Sequence, residues 1–163
     1  MNAFNLNRLN LRSPYHVIMD DEGDLFFETD FGVSYGISFD ENNDLLNYPT
    51  FEFGIYNRNG RPSPNDVKLR DTVLAIIEEF FTSNDGVFLY ICATGDGMQA
   101  YRYRLFLRWF SSYTYKDNYL IRTIEGVMDD DTPNYGAIII RKSHPDLELV
   151  MMRFDELVKV LKK

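Results

Sequence analysis

The stretch VFLYICATGDGMQAYRYRLFLRWFSS, residues 87–112, changes character within four residues. Its first seven residues are continuously apolar and rich in β-formers, the pattern of a strand covered on both faces. Thr94, Gly95, Asp96 and Gly97 break that run. Asp96 with Gln99 three residues later has the form of a capping box, so a helix is expected over residues 98–112. Met98, Tyr101, Leu105 and Trp109 recur at helical spacing and supply its expected core stripe.

Upstream, Val33, Tyr35, Ile37 and Phe39 alternate with small or polar residues, and Phe51, Phe53 and Ile55 repeat the pattern. Such a period of two marks half-buried strands. Residues 15–19 and 25–29 are shorter β-prone runs separated by the acidic turn at 20–24, giving a meander of four strands. Ser63 as N-cap, Pro64 at the first helical position and Asp66 then open a helix whose stripe is Leu69, Val73, Ile76, Ile77, Phe80 and Phe81. Downstream, strands at 118–125 and 135–142 flank a loop carrying Asp129, Asp130 and Asp131. A last helix starts near Ser143 and runs to the C-terminus, lined by Leu147, Val150, Met151, Phe154, Leu157, Val158 and Leu161, with Lys159, Lys162 and Lys163 at its dipole-favoured end. The order ββββ-α-β-α-ββ-α implies an α+β fold: a largely antiparallel sheet of about seven strands with three packed helices. Residues 1–14 read as an N-terminal arm and residues 15–163 as a single domain.

A chain of 163 residues, 45% hydrophobic and 26% charged, can fill one core, which excludes disordered and collagen-like classes. Cys92 is the sole cysteine and His16 and His144 the only histidines, so no internal disulfide and no dedicated metal or cofactor site is expected. His16, His144 and Cys92 lack partners at catalytic spacing and read as structural. The acidic clusters at 20–24, 40–44 and 129–131 lack EF-hand spacing and read as solvated hairpin tips. Residues 1–14 lack the apolar core of a signal peptide, and the longest apolar runs are too short to span a bilayer. A cytoplasmic protein without membrane contact is expected.

Net charge is -8, unevenly placed: residues 1–96 carry -10, residues 97–122 carry +4 and residues 123–163 carry -2. The basic segment interleaves Arg102, Arg104 and Arg108 with Tyr101, Tyr103, Phe106, Trp109 and Phe110, and Lys116 and Arg122 extend it. At 100° per residue Arg104 and Arg108 share a face that Arg102 does not, so Arg102 is suited to an ion pair with Asp96. The turn at Gly95–Gly97 opens a helix N-terminus that could take an anion, but it lacks the P-loop and dinucleotide signatures.

The segment FLYICATGDGMQAYRYRLFLRWFSSY, residues 88–113, resembles a family of small uncharacterised bacterial proteins known as a domain of unknown function. The resemblance rests on Asp96 and Gly97, on Arg102 and Arg104, and on Phe106 and Trp109. FETDFGVSYGISF, residues 27–39, is similar to a second block of that family. The resemblance implies the fold and its boundaries and brings no activity, cofactor or substrate.

Three functions compete on these residues. The leading expectation is a non-enzymatic cytoplasmic protein-interaction module, with Asp96, Arg102, Tyr103, Arg104, Arg108, Lys116 and Arg122 as the contact candidates, because arginine and aromatics are what interface cores select. The alternative is a nucleotide- or nucleic-acid-binding protein using helix 98–112 and the Gly95–Gly97 turn, which the acidic net charge disfavours. The third, a hydrolase or transferase with Asp96 as acid or base, has the least support, and no catalytic residue is assigned. A homo-oligomer could form through an edge strand at 15–19 or 135–142, or by exchange of the last helix.

Overall fold

The computed structural model describes residues 1–127 and 130–161. Among these the chain forms seven strands, mostly antiparallel, and four α-helices, an α+β fold as the residue pattern implies. Asp129, Lys162 and Lys163 lie outside the described residues. No helix among the described residues is long and apolar enough to cross a membrane. Chain contacts resolve into two compact units, Met1–Phe39 with Phe53–Asp85, and Asp40–Glu52 with Gly86–Lys163.

In the first unit, strands β1 (Ile18–Met19), β2 (Leu25–Glu28), β3 (Ser34–Glu41) and β4 (Thr50–Asn57) follow one another in sheet order. The far end of the β3–β4 hairpin counts with the second unit. The register Leu25↔Ile37 and Phe27↔Tyr35 puts these four buried side chains on one face. On the other face Tyr56 lies over Gly36, where a Cβ would collide with its ring. The buried face packs on α2 (Val67–Ser83), with Phe39 stacked on Phe80 at 5.1 Å between centroids. α2 begins three residues later than Ser63 and Pro64 imply: Asp66 is its N-cap, accepting from the Lys68 N–H at 3.0 Å while Tyr15 Oη donates to its other oxygen at 2.6 Å. Ser63 instead pairs with the Tyr35 hydroxyl.

Residues 1–14, the N-terminal arm, contain α1 (Leu6–Arg12), with Leu9 fully buried. The anchor is Glu79 of α2, whose side chain is fully buried. It accepts from Arg8 Nε at 2.9 Å, Arg12 Nη2 at 3.1 Å, Ser83 Oγ at 2.9 Å and the Asn5 N–H at 3.2 Å. Burial pushes this carboxyl up, but those hydrogen bonds outweigh it and hold it below its ordinary range. A seven-residue helix is too short to stand alone, so this buried acceptor and Leu9 are what fix it.

The second unit is a three-layer sandwich. Its strands β5 (Val87–Ile91), β6 (Tyr119–Val127) and β7 (Pro133–Arg141) lie in the order β5-β7-β6. Because side chains alternate along a strand, the two faces can be followed residue by residue. Val87, Leu89, Ile138, Ile140, Leu120 and Ile124 point to α4 (Leu147–Leu161), where they meet Val150 and Phe154. Phe88, Tyr90 and Tyr135 point the opposite way, to α3 (Gln99–Ser111): Phe106 stacks on Tyr90 at 4.2 Å and Tyr103 lies 5.1 Å from Tyr135. Val87, Phe88, Leu89 and Tyr90 are all buried, as a continuously apolar strand requires. β7 is paired on both sides and is not the edge strand expected at 135–142; β6, bonded to β7, ends the sheet order.

Candidate functional site

The most distinctive local chemistry lies where β5 hands over to α3. Gly97 takes φ +72°, a left-handed conformation that glycine adopts without strain, and its N–H reaches the Thr94 carbonyl at 3.4 Å. Asp96 Oδ1 accepts the Met98 N–H at 3.0 Å. Arg102, one turn into the helix, closes on both Asp96 oxygens at 2.8 Å and donates to the Ala93 carbonyl. A bidentate guanidinium thus ties the end of the strand, the turn and the first turn of α3 together.

This arrangement corrects two expectations. Asp96 is not the N-cap; Met98 holds that position, and its thioether makes no side-chain bond to the helix amides. Gln99 does not complete a capping box either, since its side chain is buried and donates to the Pro133 carbonyl at 3.1 Å. Arg102, followed by the Met98 N–H, holds the Asp96 carboxyl well below the usual carboxylate range. An anion locked this way is a poor proton acceptor at neutral pH and has no proton to give, so the geometry does not favour an acid–base role. It also sets a negative charge against the amides a phosphate would use.

The aromatic stripes of α3 divide differently from the sequence reading. The buried side chains are Gln99, Tyr103, Phe106 and Phe110. Met98 and Tyr101, taken above as core, are each 47% exposed, and Leu105 and Trp109 are half-buried on the same side of the helix. Both sets recur every three or four residues, so spacing alone cannot choose between them. The sheet chooses, because the rings of Phe88, Tyr90 and Tyr135 meet Phe106 and Tyr103 of the buried set. The result is an outward row of Met98, Tyr101 and Leu105 with exposed Arg104 and Arg108 beside it.

The remaining candidates scatter. Tyr103 is a core residue, and burial pushes its hydroxyl pKa up, so it is not available to a partner. Lys116 is exposed and bonds the Ser111 carbonyl at 3.0 Å at the C-terminal end of α3. Arg122 pairs with Ile138 in register and so projects on the α4 face, opposite Arg104 and Arg108. Only Arg104 and Arg108, one helical turn apart, form the expected basic face.

Cys92 is buried, and burial pushes its thiol up, as for an inert core cysteine. His16 is exposed, while His144 Nδ1 accepts the Asp146 N–H at 3.0 Å in the turn before α4. Asp20, Glu22 and Asp24 bring carboxylate oxygens within 4.8 Å of one another, but Asp20 Oδ1 is occupied by the N–H groups of Glu22 and Asp24 at the tip of the β1–β2 hairpin.

Residues 65–156, more than half of the chain, match the profile of a family of unknown function, DUF6169. The chain belongs to this family. The DUF6169 segment takes in α2, β5, α3, β6 and β7 and most of α4, and so contains the Asp96–Arg102 latch and both stripes of α3. It includes the first block of the resemblance, residues 88–113, whereas the second block, residues 27–39, lies outside it. No curated protein matches the chain.

Proposed function

We propose that this DUF6169 protein is a non-enzymatic protein-binding module whose contact surface is the outward row of α3: Met98, Tyr101, Leu105 and Trp109 with Arg104 and Arg108. The observation that carries this reading is the exposure of Met98 and Tyr101 on a helix whose core obligations are already met by its opposite side. Apolar and aromatic side chains placed beside arginines are what the centres of protein interfaces select. The two guanidinium groups ask for an acidic or carbonyl-rich partner surface around an apolar contact. In this reading the Asp96–Arg102 latch holds the first turn of α3 in place without touching the partner.

The nucleic-acid alternative has less on its side. Arg122 is on the other face of the sheet, Asp96 occupies the turn, and net charge is -8. The test is affinity purification of the tagged protein and of a Tyr101→Ala/Arg104→Glu/Arg108→Glu variant at low and at 0.5 M salt, with protein and nucleic acid quantified in both eluates. The binding module predicts one or more proteins captured by the natural sequence, retained at 0.5 M salt and lost from the variant. Nucleic acid captured at low salt and released at 0.5 M salt would instead favour the alternative.

A further inference from the structure

The second unit ends on an open strand. β6 pairs with β7 from Tyr119↔Arg141 to Val127↔Pro133 without a bulge and contains no proline, and among the described residues no strand lies on its other side. The Lys142 N–H donates to the Asn118 carbonyl at 2.9 Å in the same register, so the even-numbered residues of β6 bond to β7. The odd-numbered Ile121, Thr123, Glu125 and Val127 therefore turn their N–H and C=O groups outward. Of these carbonyls, that of Ile121 accepts from the guanidinium of its neighbour Arg122 at 3.2 Å. An unblocked nine-residue edge is a template for another strand, whereas β1, the other strand with a single neighbour, offers two residues.

Two features select a second copy of this chain as the strand that pairs there. Laid antiparallel on itself about Ile124, β6 sets Ile121 against Val127, Thr123 against Glu125 and Arg122 against Gly126, so no like charges are opposed. The two-fold axis of such a pair stands perpendicular to the sheet, which puts both α4 helices on one face, antiparallel, with their β6 sides turned towards each other. That side carries Glu148 near its start, Lys159 near its end and Met151 and Met152 between, lining one groove with Leu120 of β6. Glu148 and Lys159 stand about 16 Å apart along the helix, too far to pair with each other. The two-fold brings each to the opposite charge of the other copy, and the methionines together. Arg122, on the same face, adds one cation per copy against the remaining acids, Asp155 and Glu156. We propose that the protein is a two-fold dimer in which β6 pairs with β6 of a second copy and the two α4 helices lie side by side, independently of the α3 surface.

Sedimentation equilibrium of the full chain up to about 1 mM, a concentration that reveals even weak association, reads the dimer constant. Thr123→Pro removes an outward N–H and leaves the bonds to β7, so it is expected to weaken the dimer by about tenfold or more with an unchanged far-ultraviolet circular dichroism spectrum. Glu148→Lys and Lys159→Glu each place like charges at both ends of the helix pair and should each weaken it by about tenfold. The double exchange Glu148→Lys/Lys159→Glu is expected to recover the natural constant to within about twofold. That recovery is specific to a surface that meets its own copy, and it is decisive even if Thr123→Pro fails to fold. A monomer at every concentration would overturn the proposal and leave the edge to an extended segment of another protein. So would a dimer unaffected by Thr123→Pro, one not recovered by the double exchange, or one lost instead in Tyr101→Ala/Arg104→Glu/Arg108→Glu.

Discussion

Helices α2 and α3 both carry more apolar residues than a single narrow stripe needs, and they dispose of the surplus in opposite ways. α2 buries ten of its seventeen residues, including the charged Glu79, so nearly everything apolar on it is consumed by the fold. α3 buries four of thirteen and leaves Met98 and Tyr101 in solvent. Their charged anchors differ in the same sense. Glu79 is sealed behind Arg8, Arg12, Ser83 and Asn5, whereas Asp96 meets Arg102 at the surface. The lesson is that exposure, and not apolar content, separates a helix that serves the core from one with contact area to spare.

The largest effects that bear on this comparison belong to the buried rings. Phe80→Ala in α2 and Phe106→Ala in α3 should each cost about 3–5 kcal/mol in urea unfolding, whereas Tyr101→Ala should stay within about 0.5 kcal/mol. If Tyr101→Ala costs as much as Phe106→Ala, the outward row is core after all. Next comes Glu79→Gln, expected to lose about 1–3 kcal/mol by weakening every hydrogen bond to a buried acceptor.

The same carboxylate sets an acid limit. Its pKa is depressed in the folded protein, so its contribution is present above the unfolded value of about 4.3 and disappears as pH falls through the folded value. Thermal midpoints should therefore drop on acidification below that range, and Glu79→Gln should flatten the drop. At the alkaline end, burial and the hydrogen bond to Asp66 push Tyr15 up to about 12, so its contribution is complete below the unfolded value of about 10 and fades as pH rises towards 12. Tyr15→Phe should reduce that alkaline loss. The smallest effect is expected from Asp96→Asn, whose exposed pair with Arg102 is screened by solvent. A loss larger than that of Glu79→Gln would show that the latch does more than position α3.

Much of this architecture is legible in the residues. Alternation marks β3 and β4, the unbroken apolar run marks β5, and periodicity marks α2, α3 and α4. What escapes the sequence is long-range partnership. Asn5 to Arg12 look like a polar arm until Glu79, 67 or more residues away, accepts their hydrogen bonds. Arg122 looks continuous with Arg104 and Arg108 until the β6–β7 register turns it to the other face. Asp96 and Gln99 look like a capping box until Arg102 and Pro133 claim them. In α3, two stripes with the same spacing compete, and only the rings of β5 and β7 decide which is covered.

The decisive measurement pairs stability with binding on one variant, Tyr101→Ala/Arg104→Glu/Arg108→Glu. Its urea midpoint and its set of co-purifying proteins from the native host at 0.5 M salt would be compared with those of the unaltered chain. If the outward row of α3 is a binding surface, the midpoint stays unchanged and at least one salt-resistant partner is lost. An unchanged midpoint with the same partners retained would contradict that role, and α3 would then carry exposed apolar residues to no purpose in binding.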